Sequence, residues 1–364
     1  MTIVCAHLRL GKIFQTWAAA SLPTRLFEPY MRGGDCQVFS YDPLIIYVPD
    51  WIIRDRPVAL LKVLRQFRNR AIYLLILLSW AHDTPGRIKQ LTLWQARHLR
   101  WYPHHRVIFM ANSEVEHQML AAAGLETAWV NQNAFVSPAI FRNLRESDKR
   151  LDAVYDARIN PFKRHNLAVG IESLALITAR SHHDESYTRS IRGILPQAHW
   201  FNDPLASDYS FMSFPEINVA INQCRVGLCL SAEEGAMYAS MQYLLAGLPV
   251  VSTKSRGGRD EFFDPDYVRI VADSADAVAA GVREMRDCPV PATEIRRRTL
   301  EKIERHKTRL FELLDTICAT EGCRADLRCR WDSWATRPWS DSITPAAIRK
   351  RIENAAICTT DYPM

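Results

Sequence analysis

No stretch of the 364 residues is apolar for long enough to cross a bilayer. The longest run, Ala71–Ala81 (AIYLLILLSWA), falls well short of the roughly 18–20 residues a spanning helix needs. The opening MTIVCAHLRLGK lacks the charged-then-apolar-then-small order of a secretory leader, so a cytoplasmic location is expected. Paired cysteines are also lacking. The nine are an odd number and scattered, and the tightest group, Cys318, Cys323 and Cys329, lacks the CxxC spacing of a zinc site. Free thiols in a reducing compartment, with no bound metal, are the expectation. There is no internal repeat and no low-complexity tract. The G-x-G-x-x-G fingerprint after a strand is missing, which sets a Rossmann-type dinucleotide enzyme low. Nor does one sign of charge dominate. Forty-six Lys and Arg against 40 Asp and Glu leave +6, an excess that suits anionic ligands or lipid head groups without demanding nucleic acid, and no nucleic-acid partner is expected.

What is there is an ordinary globular composition, 48% hydrophobic and 24% charged, with length for two domains at about 100–200 residues each. In the first half, MTIVCAHL, YLLILLSW and RVIFMANS predict buried parallel strands, alternating with helices over Gly86–Tyr102 and Glu114–Ala123. The polar stretch Arg142–Arg150 has no core-facing period and predicts a linker. The alternation then restarts. LDAVYDARI, RVGLCLS, LPVVST and YVRIVA predict strands, while NLAVGIESLALITA, PEINVAINQC, Gly235–Ala246 and Ala275–Met285 predict helices, followed by a basic helical tail from Pro289. The expected architecture is α/β: two Rossmann-like, doubly wound domains facing across a cleft. The boundaries read as 1–141 for an acceptor-side domain, 142–150 for the linker, 151–335 for a donor-binding domain, and 336–364 for a tail packing back on the first domain.

Such a cleft lies outside the carboxyl ends of the strands, where a ligand meets helix N-termini. Ser231–Glu261 (SAEEGAMYASMQYLLAGLPVVSTKSRGGRDE) begins where RVGLCLS ends. Glu234 at the mouth can accept hydrogen bonds from ligand hydroxyls, Gly235 lets the backbone approach closely, and Gln242 lies about two helical turns on. In this segment, Glu234-Gly235 with Ala236, Gln242, then Ala246-Gly247-Leu248-Pro249-Val250-Val251 and Gly257-Gly258 with Glu261, resembles the donor signature of GT-B glycosyltransferases of the group-1, GT4-like superfamily, E-x7-E, A-x-G-x-P-V-V and G-G-x-x-E. Tyr155–His165 resembles the family's G-R-x-x-x-x-K-G segment, with Arg158 and Lys163 at the two cations, and Asn131-Gln132-Asn133 lies near its N-G segment. The likeness spans roughly residues 105–285 and departs at Gln242, Ala157 and Arg164, which stand where the family has Glu, Gly and Gly.

The resemblance implies a retaining, metal-independent transferase that moves a sugar from a nucleoside diphosphate donor to a hydroxyl of a glycan or lipid-linked acceptor, as in polysaccharide biosynthesis. It implies no cofactor beyond the donor. Glu234 would hold the sugar, Arg158 and Lys163 the diphosphate and Gln242 the ribose, with Gly235, Ala236, Gly257, Gly258 and Glu261 around the donor. The alternative is a GT-B-shaped scaffold or regulatory protein without turnover, which the three departures favour. On the acceptor side the candidates are Gly11, after the first strand, and His82 and Asp83, after YLLILLSW, which read either as a site where an acceptor hydroxyl would be bound or deprotonated or as a helix N-cap beside a structural His. Residues 54–70 form a basic amphipathic pattern that either packs its leucines on a sheet or lies on an anionic membrane face. The pairs His104-His105 and His182-His183 read as surface.

Overall fold

The computed structural model describes residues 36–55, 60, 64–144, 148–179, 185–323 and 326–336. The expected strand at 1–8, Gly11, His182-His183 and all but the first residue of the 336–364 tail lie outside them.

The apolar runs of the first half join one sheet in the order β1-β2-β3-β4-β5, formed by β1 (Gln37–Tyr41), β2 (Leu44–Pro49), β3 (Ile72–Leu77), β4 (His105–Ala111) and β5 (Thr127–Trp129). β2 to β5 run parallel, and β1 is antiparallel to β2 in a hairpin that the periodicity does not announce. Both faces of β2 are buried. Leu44, Ile46 and Val48 enter one core, together with Leu60, Leu64 and Phe67 of the basic segment, so these three pack on the sheet. The helices here are α1 (Asp50–Asp55), α2 (Pro85–Trp101) and α3 (Glu114–Ala122); Ser113 caps α3 and Gly124, at φ +78°, ends the turn after it.

The second sheet is wholly parallel, in the order β11-β10-β9-β6-β7-β8. Its strands are β6 (Leu151–Asp156), β7 (Leu174–Ile177), β8 (His199–Trp200), β9 (Cys224–Cys229), β10 (Val250–Thr253) and β11 (Val268–Val271). Its helices are α4 (Glu185–Ile194), α5 (Phe214–Asn222), α6 (Tyr238–Leu245), α7 (Ala275–Met285) and the start of α8 (Ala292–Thr320). Two expectations are corrected. NLAVGIESLALITA is not one helix: residues 165–168 make a single 3-10 turn, and Leu174–Ile177 is a strand buried throughout, because pairing with β6 beneath the sheet's cover outweighs a period that fits both. α6 begins at Tyr238 rather than Gly235, because the residues before it are held in a bridge between Glu233 and Arg256.

α8 joins the two halves. Its start packs Ile295 and Ile303 into the second core, and its end packs Leu310, Phe311, Leu314 and Ile317 under Phe39, Tyr47 and Tyr73 of the first sheet, where Trp331 and Trp334 of α9 (Trp331–Thr336) also lie. Residues 310–334 thus return to the first domain.

Candidate functional site

Leaving β6 the chain goes to β7 on one side, and it comes back to β9 on the other. The switch point of the second sheet therefore lies between β6 and β9. The two strand-end loops there carry Lys163 and Glu234, 71 residues apart, and the Lys163 ammonium donates directly to Glu234 Oε1. Ser231 Oγ donates to the same oxygen at 2.5 Å. Glu234 is buried and Lys163 partly buried, with side chains 8% and 12% exposed, so each charge depends on the other. The pair is held from beneath. Tyr155 Oη donates to the Lys163 carbonyl at 2.6 Å, and the Glu234 N–H donates to the Arg256 carbonyl at 3.0 Å.

Arg164 follows Lys163 in the left-handed region, at φ 54° and ψ 45°, the conformation that favours the glycine found there in the resembling family. The side chain offsets the backbone cost. Its guanidinium donates to the Leu230 carbonyl after β9, to Thr253 Oγ1 on β10 at 2.7 Å and to Asp273 at 2.8 Å, tying three strand ends together. Below it Arg259, fully buried, donates to the carbonyls of Ser231 at 2.7 Å and Thr253 at 2.5 Å and to Ser252 Oγ at 2.8 Å. Asp156, at the end of β6, has its carboxyl pushed up to about 7 by burial, against the pull of Lys163.

The other expected donor-side residues scatter around this pair. Arg158 is exposed and makes no hydrogen bond or ion pair among the described residues. Gln242 is buried on α6, and its Oε1 has no partner among the described residues. Ala236 is half-buried in the loop before α6. Glu261 turns away to α8, where its carboxylate lies 3.5 Å from His306 Nε2. Gly235 and Gly258 serve close approach between the two domains, while Gly257, at φ +105°, lets its loop lie directly on the Glu234 carbonyl of the same domain. A Cβ on Gly235 would lie 2.5 Å from the Ser79 carbonyl oxygen and 2.7 Å from that of Leu78, and one on Gly258 would collide with Asn112. The Gly258 N–H is used inside the loop, donating to the Gly235 carbonyl at 2.7 Å.

Across from the pair stands the end of β3. His82 Nδ1–H donates to the Trp80 carbonyl at 2.8 Å, and Nε2 turns to Asp50 Oδ2 at 3.5 Å. Burial lowers its pKa and Asp50 opposes that shift. Asp83 faces Arg256 Nε at 3.4 Å. The structure adds residues with no local signal in the sequence. Arg87 of α2 donates to Glu233, 146 residues away, and Arg256 donates to the same carboxylate, so an ion-paired bridge spans the domains. Burial raises the Glu233 pKa, but the two guanidiniums hold it below the usual carboxylate range. Trp80 and Phe162 meet edge to face across the gap at 5.2 Å. Between the domains opens a cavity of about 540 Å3, lined from the first domain by Arg54, Trp80, His82 and Arg87, and from the second by Phe162, Arg164 and Glu233 among others. Among the described residues no three His, Cys, Asp or Glu side chains converge as a metal site, and no helix is long and apolar enough to cross a membrane.

No protein-family model matches the sequence, and no curated protein matches it. Solved structures do. The chain is similar to Anabaena HepE crystallised with UDP and glucose, at a TM-score of 0.53 and 13% identity over 72% of this chain and 82% of that one. HepE crystallised with UDP-glucose also gives 0.53, at 12% identity over 71% and 82%. Sucrose-phosphate synthase from Thermosynechococcus elongatus gives 0.56 at 12% identity, over 76% and 74%. At such identities the likeness is one of fold, and the chain has the GT-B fold.

Proposed function

We propose that this protein is a glycosyltransferase that moves a sugar from a nucleoside diphosphate donor to a hydroxyl of a glycan or lipid-linked acceptor. One observation carries the reading. Lys163 and Glu234, placed by two separate motifs 71 residues apart, meet at the switch point of the second sheet, where open α/β sheets bind their ligands. A UDP-sugar is the first donor to try, because HepE, which shares the fold, is crystallised with UDP-glucose.

In this reaction the bond between the anomeric carbon and the diphosphate breaks, the acceptor oxygen bonds to that carbon, and the hydroxyl proton leaves. Charge gathers on the departing diphosphate. A fixed ammonium beside it is therefore worth more in the transition state than before it. On binding, Lys163 exchanges the Glu234 carboxylate for phosphate, and Glu234 turns to the sugar hydroxyls. Arg158, at the mouth of the same loop, adds a second cation. The unpartnered Gln242 Oε1 accepts from a ribose hydroxyl. His82 and Asp83 receive the acceptor hydroxyl across the cavity. With cations from the chain itself, transfer is metal-independent, and by family resemblance it retains anomeric configuration. The exposed basic side chains Arg65 and Arg68 would favour an acceptor at an anionic membrane face.

The test is release of nucleoside diphosphate from UDP-, GDP- and ADP-sugars by the purified chain in EDTA. Release from one of them is expected. Binding without release, with every acceptor class offered, would favour the scaffold that Gln242, Ala157 and Arg164 suggest. Restoration of lost activity by magnesium or manganese would overturn metal independence.

A further inference from the structure

Ser113-x-x-Glu116 has the form of a capping box. Ser113 Oγ accepts the Glu116 N–H at 3.2 Å, and the pattern would return the Glu116 carboxylate to the Ser113 N–H. The carboxylate goes elsewhere. Oε1 accepts the backbone N–H of His82 at 2.6 Å, and Oε2 accepts that of Asn112 at 2.7 Å. Glu116 is 2% exposed, so both oxygens are spent inside the protein on loops that end two neighbouring strands, β3 and β4. A buried carboxyl is costly, and burial pushes this one up to about 7 against the two N–H donors. A helix N-terminus needs no such expense, since Ser113 alone caps it.

The two loops are the ones the cleft depends on. His82 lines the cavity. Asn112 is the seat of the second domain: its Nδ2 donates to the Leu78 carbonyl at 2.6 Å, its carbonyl accepts from Asn131 Nδ2 at 2.7 Å, and Gly258 rests against it with no room for a Cβ. Asn131 Nδ2 also donates to the Gly258 carbonyl at 2.7 Å. We propose that Glu116 is a positioning residue, a buried brace that fixes His82 and the Asn112–Gly258 seat relative to one another. Its consequence for catalysis rests on the glycosyl-transfer reading, and its consequence for the loops does not.

Glu116→Gln separates the brace from the helix, because an amide offers one acceptor oxygen and turns donors toward the other N–H. Assayed at pH 8, kcat for donor turnover should fall at least tenfold, while the Kd for UDP stays within twofold. Hydrogen exchange at the His82 and Asn112 amides should accelerate at least tenfold. Glu116→Asp, which keeps both oxygens, should recover part of kcat. Ser113→Ala, which loses the cap and keeps the brace, should hold kcat within twofold. Unchanged exchange at His82 and Asn112 in Glu116→Gln would overturn the brace, and unchanged kcat would overturn its role in transfer. A loss in Ser113→Ala as large as in Glu116→Gln would assign the effect to helix stability and overturn the proposal. A wild-type chain that turns over no donor would refute the transfer reading instead, with the exchange measurement still deciding the brace.

Discussion

Glu234 is buried and the Lys163 side chain only 12% exposed, and each is the other's counter-ion. Removing one partner of such a pair leaves an uncompensated buried charge, a cost of about 3–5 kcal/mol. Lys163→Met should therefore lower unfolding free energy in urea by roughly 3 kcal/mol, and the double variant with Glu234→Gln should regain most of it. Additive losses would show that the two do not depend on each other. Gln242 is the reverse case, a buried amide whose Oε1 has no partner among the described residues. Gln242→Leu should leave the melting temperature unchanged or higher while weakening UDP by about 1 kcal/mol, the worth of one hydrogen bond. Equal affinity in calorimetry would remove Gln242 from the donor site. The sequence carries Lys163, Glu234 and Gln242 because motifs are local spacings. It could not carry Arg164's role, which depends on Leu230, Thr253 and Asp273 arriving from far along the chain.

Among the elements, α2 and β4 meet through two histidines. His98 Nε2 lies 3.1 Å from His105 Nδ1, both buried and stacked with Tyr102. This corrects the surface reading of His105: as the first residue of β4 it points under the end of α2, out of water. Burial lowers His98 to about 3 and His105 to about 4. Unfolded, each takes up a proton near pH 6.5, so the stability they contribute is full above that pH and is lost as pH falls toward about 4. Between pH 7 and pH 5 the share of each is on the order of 2 kcal/mol. His98→Leu should flatten that part of the acid limb in urea titrations, and parallel curves for both proteins would contradict it. Elements with long periodic runs, such as α7 and the central strands, are legible in the sequence. β7 is not, because Leu167, Ala168, Ile171 and Leu174 fit a helix face as well as a turn and a strand. Nor is the β1–β2 hairpin, whose apolar residues, buried on both sides, show no alternation.

In the molecule as a whole the two halves are locked by backbone contact as much as by charge. Gly235 and Gly258 sit directly on Ser79 and Asn112, beside the bridge of Arg87, Glu233, Arg256 and Asp83. Gly235→Ala would wedge the domains apart by its Cβ. It should raise the radius of gyration in X-ray scattering and lower kcat, and an unchanged scattering profile would show that the seat yields locally. The two parallel sheets are legible because the α/β alternation of apolar runs stops and restarts along the sequence. How the domains meet is not, since that is fixed by pairs like Arg87 with Glu233, which no local spacing records. The central claim is that the meeting point of Lys163 and Glu234 is a nucleoside diphosphate-sugar site. Calorimetric titration of UDP in EDTA, into the wild-type chain and into Lys163→Met, tests it most directly. Micromolar binding to the wild type and at least tenfold weaker binding to a folded Lys163→Met are predicted. Equal binding to both, or none to the wild type by UDP, GDP or ADP, would contradict it.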